Sequence, residues 1–85
     1  MVERSEVLEI LRKNITSIDV DSLDFEISLK EQGLDSLDLI STLFVIEEKY
    51  GIKVSEKDID EGKLESINQI VQYITSILHR GLNKK

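Results

Sequence analysis

The chain has 85 residues, enough for one domain with one modest core and too few for a catalytic cleft between two lobes. Its formal net charge of −6 disfavours nucleic acid as a partner, because neutralising phosphates needs the opposite sign, and favours basic protein surfaces. Cysteine is absent, which excludes disulfides, thiolate metal ligands and a cysteine nucleophile within this chain. We predict no metal site and expect any thiol chemistry to be supplied from outside.

Hydrophobic residues make up 40% of the chain and aromatic residues only 5%, so the core must be built mainly from Leu, Ile and Val. This composition suits thin helices packed on one another and predicts an all-α bundle. No apolar run approaches the roughly 18 residues that span a bilayer. We therefore expect neither a signal peptide nor a membrane helix, and a cytoplasmic location.

The first predicted helix carries an apolar stripe with spacings of three and four, and is expected to end near Ile15 or Thr16. The stripe consists of Val7, Leu8, Leu11, Ile15 and Ile18. A long connection over 19–33 follows, and loops of this length in small domains need anchoring. We predict an ordered loop, since a lone strand would have no partner. The residues expected to hold it over the bundle are Leu23, Phe25, Ile27 and Leu29.

Start and stop signals predict three more helices. The second begins at Asp35 or Ser36 and ends at Gly51, which can adopt the left-handed conformation. A short third helix runs from Ser55 to about Asp60.

The last helix has the clearest signature, because Ser66 and Gln69 form a capping box ahead of an apolar stripe. Gly81 is predicted to end it. A single domain is expected, with an ordered core of about 3–80 and a tail over 81–85 that closes with Lys84 and Lys85.

The second helix has more apolar residues than one buried stripe requires. At roughly 100° per residue, the core-facing row consists of Leu39, Leu43, Ile46 and Tyr50. A second apolar row beside it, bordered by Glu47 and Glu48, consists of Leu37, Ile40 and Phe44. An apolar row fringed by carboxylates is a candidate docking surface. The alternative is that the long loop buries this row.

Ser36 lies where the second helix begins. A serine there meets unpaired backbone N–H groups and the positive end of the helix dipole, so a phosphodiester on its oxygen would be stabilised. Gly33 allows the tight approach that exposes the hydroxyl. An ordinary N-cap occupies the same position, so placement alone does not distinguish the two.

The segment Gly33-Leu34-Asp35-Ser36-Leu37-Asp38, followed by an amphipathic helix and Tyr50-Gly51-Ile52-Lys53-Val54, resembles the phosphopantetheine attachment region of the acyl carrier protein family. The resemblance extends over nearly the whole chain, since the other helices and the long loop fall at the family's spacing. The Asp-Ser-Leu triplet is common by itself, but within this helix pattern it is specific.

The resemblance implies a four-helix bundle in which a phosphopantetheinyl transferase modifies Ser36. The serine oxygen would attack the phosphate of coenzyme A, and the attached 4'-phosphopantetheine arm would end in a thiol that carries acyl groups as thioesters. Asp35, at the matching family position, would help the transferase to place the metal-bound phosphate. As a helix N-terminal acid it would also stabilise the helix by roughly 0.3 to 1 kcal/mol.

In the family, acyl-loading and acyl-processing enzymes present Arg and Lys to acids on the second helix and bury its outer apolar residues. The corresponding residues here are Leu37, Asp38, Ile40, Phe44, Glu47 and Glu48. Ser41 departs from the pattern, since primary fatty-acid carriers usually have an acid there. Leu39 is bulkier than the small polar residue common at its position, and we expect it to narrow the space for an acyl chain. These departures suggest a specialised carrier dedicated to one pathway.

The sequence predicts a monomeric carrier in fatty-acid, lipid or polyketide-type synthesis, and no enzyme. The single histidine, His79, lies near the end of the last helix, and no Gly-x-Ser-x-Gly elbow surrounds Ser36. The acidic pairs at 19–21 and 58–60 lack the glycine and glutamate of a calcium loop. Two alternatives stay open, which are a free-standing peptidyl or aminoacyl carrier and a carrier-like adaptor that is never modified.

Overall fold

The computed structural model describes residues 2–16 and 18–83, and within them it contains four α-helices and no strand. The helices are α1 (Arg4–Asn14), α2 (Ser36–Tyr50), α3 (Glu56–Asp60) and α4 (Ile67–Asn83). A short 3-10 turn at Val20–Ser22 lies within the connection between α1 and α2. The predicted all-α bundle, with its long first loop and short third helix, is confirmed.

The hydrophobic core is formed by Leu, Ile and Val side chains, and a few partly buried aromatic side chains pack against it. α1 packs against both α2 and α4, and burial along α2 follows the predicted row. Leu39, Leu43 and Ile46 are buried, while Tyr50 is partly buried. On α1 the buried residues are Val7, Ile10 and Leu11, of which Ile10 lies outside the predicted stripe.

Side-chain hydrogen bonds cap the starts of α2 and α4 where the sequence predicted. The Asp35 carboxylate accepts a hydrogen bond from the Asp38 N–H at 2.9 Å and caps α2. Gly51 closes α2 in the left-handed conformation, with a φ of 66°. Before α4, the Ser66 hydroxyl accepts from the Gln69 N–H at 3.2 Å, and the Gln69 amide oxygen accepts from the Ser66 N–H at 3.1 Å. The predicted capping box is therefore confirmed.

The prediction that Gly81 ends α4 is wrong, because the helix continues to Asn83. A glycine inside a helix costs only about 1 kcal/mol relative to alanine. No proline follows it to force a stop. α4 thus extends into the segment predicted as a tail, whose Lys84 and Lys85 lie outside the described residues.

The connection between α1 and α2 is an ordered loop, as predicted. Leu29 is fully buried, and Phe25 packs against the core from a partly buried position. Two backbone bonds fasten the loop to the approach and start of α4: the Leu29 N–H donates to the Glu65 carbonyl at 2.7 Å, and the Asn68 N–H donates to the Phe25 carbonyl at 3.0 Å. Buried side chains and backbone bonds together hold the loop over the bundle.

Ile27 does not anchor the loop, contrary to the prediction, and is 44% exposed. The segment coils around the side chain of Gln32, whose amide nitrogen donates to the carbonyls of Asp24 and Ile27, both at 2.9 Å. The Gln32 amide oxygen accepts from the Asp24 N–H at 2.7 Å. Because the backbone is coiled rather than extended, alternate residues do not all face the core.

Polar contacts fasten α3 together with Ile59, which packs against the core from a partly buried position. None of its residues is buried. The Tyr73 hydroxyl on α4 donates to the Asp58 carboxylate at 2.5 Å, and Lys63 lies 3.5 Å from the same carboxylate. The bond from Tyr73 holds the pKa of Asp58 below its ordinary value of 3.8. The stabilisation it gives is complete above that value and is lost as the pH falls through the lowered pKa.

Removing the Tyr73 hydroxyl should loosen α3 alone. In Tyr73→Phe we expect amide hydrogen exchange over 56–60 to accelerate about tenfold, since the hydrogen bond from the hydroxyl to the charged Asp58 carboxylate is lost. Tyr50→Phe is the matched control, because its hydroxyl donates to Glu6 at 2.6 Å and ties α2 to α1 instead. Hydrogen exchange followed by mass spectrometry measures both variants. Equal exchange of α3 in the two would contradict the role of Tyr73 in holding α3.

Candidate functional site

Ser36 is the first residue of α2, and its side chain is exposed. Two residues earlier the chain is fixed, because Leu34 is buried and its N–H donates to the Leu29 carbonyl at 3.0 Å. Gly33 has a φ of 110°, a backbone conformation that residues with a side chain rarely adopt. A Cβ at this position would lie 3.4 Å from Ile18. The turn at Gly33 and the buried Leu34 together present Ser36 at the surface.

The start of α2 fits a covalently attached phosphodiester. The first N–H groups of a helix have no partner within it, and the Asp35 carboxylate takes only the one from Asp38. Ser36 therefore lies at the positive end of a 15-residue helix. Asp35 is exposed and Asp38 half-buried, so their repulsion of a phosphate at this surface is screened by water.

The apolar row beside the core-facing row of α2 is open to solvent. Leu37 is 75% exposed, Phe44 63% and Ile40 38%. The loop between α1 and α2 does not bury them, which rules out the alternative that the sequence left open. A shallow groove of about 130 Å³ continues this surface towards α3, with Val54 and Ile59 on its far wall.

The three predicted acids of α2 stand in different surroundings. Glu48 is exposed, whereas Asp38 and Glu47 are half-buried. The Glu47 carboxylate accepts a hydrogen bond from the Val54 N–H at 2.7 Å and so fastens the chain that follows α2. The sequence did not predict this hydrogen bond, because it joins residues on either side of Gly51.

The two residues that depart from the family pattern lie on opposite sides of α2. Ser41 is exposed, in the middle of the outer surface. Leu39 is 3% exposed and belongs to the core. Beside it Thr42 is fully buried, and its hydroxyl donates to the Asp38 carbonyl at 2.9 Å. That Leu39 narrows the space for an acyl chain stays a prediction.

Within the part of the chain that the structure describes, no group of three or more His, Asp or Glu side chains gathers as a metal site. No helix among those residues is long and apolar enough to cross a membrane. A small four-helix bundle that presents a serine at the exposed start of its second helix, with an apolar surface beyond it, has the features of a carrier domain.

Comparison with known proteins agrees with that class. Residues 5–74 match the family described as "Phosphopantetheine attachment site". An acyl carrier protein of Campylobacter jejuni is 36% identical over 62 residues, which cover 72% of this chain and 78% of that protein. One of Campylobacter hominis is 32% identical over 74 residues, covering 87% and 86%. The chain belongs to the acyl carrier protein family of phosphopantetheine carriers.

The mitochondrial acyl carrier protein of Saccharomyces cerevisiae is 45% identical over 47 residues, or 55% of this chain. The match covers only 36% of that protein, and 31% of the mitochondrial acyl carrier protein of Neurospora crassa. The chain thus spans about a third of the length of these mitochondrial relatives. Family membership implies a covalently attached 4'-phosphopantetheine group, so this chain is a phosphopantetheine-bearing carrier.

Proposed function

We propose that the chain, acting as a single carrier domain, bears 4'-phosphopantetheine on Ser36 and delivers acyl groups to enzymes of fatty-acid, lipid or polyketide-type synthesis. The observation that carries the proposal is the exposed Ser36 at the start of α2, within the matched residues 5–74. When bound there, the group supplies the thiol on which acyl groups are carried as thioesters. The residues that precede Ser36 hold it at the surface, and the outer surface of α2 is what partner enzymes would recognise.

Ser36 supplies the nucleophile for its own modification. Its oxygen forms a bond to the phosphorus next to the pantetheine of coenzyme A, and the bond from that phosphorus to the bridging oxygen breaks. The adenosine-bearing half leaves, and the hydroxyl proton passes to the transferase. Asp35 directly precedes Ser36, and its carboxylate would orient the metal-bound phosphate while it also caps the start of α2.

The outer surface of α2 is the proposed docking face for the transferase and for acyl-loading and acyl-processing enzymes. It begins one residue after Ser36, so an enzyme that reaches the attachment site meets Leu37 next. Basic side chains of the partners would lie near Asp38, Glu47 and Glu48, and their apolar side chains would cover Leu37, Ile40 and Phe44. An exposed ion pair contributes under about 1 kcal/mol.

We further propose that the chain is a specialised carrier. Compared with the family pattern, Ser41 leaves the middle of the docking face without a negative charge, and Leu39 places a bulkier side chain in the core. Housekeeping malonyl transferase and ketosynthase should therefore use it less efficiently than they use their own carrier. Equal kcat/KM values for the two carriers would refute this part of the proposal.

The mass of the intact protein tests the attachment. After incubation with coenzyme A and a broad-specificity phosphopantetheinyl transferase, we expect the mass to rise by one phosphopantetheinyl group, and Ser36→Ala to gain nothing. Ser5→Ala is a matched control, because Ser5 is an exposed serine in the first turn of α1 that lacks the surrounding motif, and it should load fully. No gain under conditions that load another carrier would favour an unmodified adaptor.

A further inference from the structure

An apolar groove of about 130 Å³ lies between α2 and α3 and begins one helical turn after Ser36. Ile40 and Phe44 form its near wall, and Val54 and Ile59 form its far wall. At 1.5 Å per residue, Phe44 lies about 12 Å along α2 from Ser36. A phosphopantetheine arm has the backbone length of about four residues, or roughly 14 Å when extended. The far end of an arm attached to Ser36 can therefore reach this groove.

Three larger hollows of the surface are unsuited to an aliphatic group. They are lined mostly by charged and amide side chains, and the one between α3 and α4 contains Asp58, Lys63 and Arg80. The groove between α2 and α3 is different, because Glu47 and Glu56 are the only charged residues among those that line it. An acyl chain gains more from leaving water in a hollow of this apolar kind.

The depth of the groove is limited by the core beneath it. Its floor is Leu43, which is 2% exposed. The neighbours of Leu43 on the buried row of α2 are Leu39 and Ile46, and both are buried as well. Protein cores are close-packed, so moving Leu43 aside to make room would strain the side chains around it.

Two hydrogen bonds limit the width of the groove. The Glu47 carboxylate on α2 accepts from the Val54 N–H at 2.7 Å and so joins the two walls. The Tyr73 hydroxyl donates to the carboxylate of Asp58, the residue before Ile59 on α3, at 2.5 Å. Because both acceptors are carboxylates, these bonds are stronger than hydrogen bonds between neutral groups. The groove therefore has room for a small ligand and resists being widened for a larger one.

We propose that this groove holds the acyl group carried on Ser36 and limits it to about six carbons with an uncharged end. The proposal deepens the proposed function and rests on it. An apolar cavity of roughly 150 Å³ binds benzene, so a groove of about 130 Å³ accommodates a chain of hexanoyl length. The remaining carbons of a longer chain would stay in water. Glu56 is exposed beside the groove, and together with Glu47 it would repel an acyl group that ends in a carboxylate.

A series of acylated proteins tests the length limit. A broad-specificity phosphopantetheinyl transferase can load Ser36 from acetyl-, butanoyl-, hexanoyl-, octanoyl- and dodecanoyl-coenzyme A, and the mass of the intact protein verifies each product. We expect the urea midpoint of unfolding to rise by about 1 M from acetyl to hexanoyl, and to change by less than about 0.2 M from hexanoyl to dodecanoyl. A midpoint that keeps rising to dodecanoyl, or that does not rise at all, would overturn the inference. If no form loads on Ser36, the proposed function itself is refuted.

Leu43→Ala tests what sets the limit. The truncation lowers the floor of the groove, so within this variant the octanoyl form should unfold at a midpoint about 0.5 M above the hexanoyl form. Ile15→Ala is the matched control, because Ile15 is 4% exposed at the end of α1 and is not among the residues that line the groove. Its limit should stay at hexanoyl. A limit that stays at hexanoyl in both variants would show that Leu43 does not set it, and the wild-type series decides the length limit even if Leu43→Ala fails to fold.

An adipoyl group tests the requirement for an uncharged end, because it has as many carbons as hexanoyl and ends in a carboxylate. The adipoyl form should unfold at a midpoint at least about 0.5 M below that of the hexanoyl form. In Glu56→Gln the two midpoints should move closer together, since one of the repelling charges is gone. Equal midpoints in the wild type would contradict the requirement for an uncharged end, and an unchanged difference in Glu56→Gln would contradict the role of Glu56.

Discussion

Ile46→Ala is expected to lower the free energy of unfolding by about 2 to 5 kcal/mol. Ile46 is fully buried where α2 packs into the aliphatic core, so the substitution leaves a cavity that its neighbours close only in part. A chain of this length has a total stability of roughly 4 to 13 kcal/mol at 0.05 to 0.15 kcal/mol per residue. The loss would thus be a large share of the total. Urea denaturation followed by circular dichroism measures it.

Glu48→Ala is the control for that prediction. It makes the same kind of truncation two residues further along α2, at an exposed position, and should change stability by no more than about 0.5 kcal/mol. If the two variants lost equal stability, the side of α2 that faces the core would be wrongly assigned.

Asp35→Asn should separate the two roles of Asp35. Asparagine caps a helix about as well as aspartate, so stability should change by less than about 0.5 kcal/mol. The negative charge beside Ser36 is lost, and we expect the rate of phosphopantetheine loading to fall about 100-fold, or roughly 2.7 kcal/mol of activation free energy. Asp35→Ala should lose both the loading rate and about 1 kcal/mol of stability. The rate of mass gain with coenzyme A and the transferase, beside urea denaturation, measures the two effects.

If Asp35→Asn loads as fast as the wild type, Asp35 acts only as the cap of α2. If Asp35→Asn lost both loading rate and free energy of unfolding, the start of α2 would be damaged instead. The prediction holds only where the loading rate falls and the folded state keeps its stability.

The helices could be predicted from the sequence because their boundaries depend on neighbouring residues. Asp35 and Gly51 delimit α2 through contacts within a few positions, and Ser66 and Gln69 cap α4 in the same way. The exposed start of α2 could also be predicted from the sequence, because Ser36 directly follows the capping residue. Local bonding of this kind leaves a signature that a single sequence displays.

Contacts between distant residues left no such signature. Ile27 is exposed because Gln32 coils the loop backbone around its amide, which an alternating pattern does not reveal. The position of Glu47 predicts a docking acid, yet its carboxylate also holds the Val54 N–H. The hydroxyl of Tyr73 meets Asp58 across 15 positions of sequence. In each case the side chain's partner is set by tertiary packing, which helix periodicity does not encode.

Gly81 shows a different limit. A glycine near the end of an apolar stripe predicts a stop, yet α4 continues through it to Asn83. Gly51 does end α2, where the chain turns away in the left-handed conformation and Ile52 becomes buried. The turn at Gly51 is favoured because the next residue is apolar and packs into the core.

The central claim is that Ser36 bears the phosphopantetheine group. Fragmentation of the loaded protein by tandem mass spectrometry, with cleavage between residues 36 and 41, tests it most directly, because Ser41 is an exposed serine on the same helix. We predict that the added mass stays with fragments that contain Ser36 and is absent from those that contain Ser41 alone. Added mass on Ser41 or on any other serine would contradict the claim.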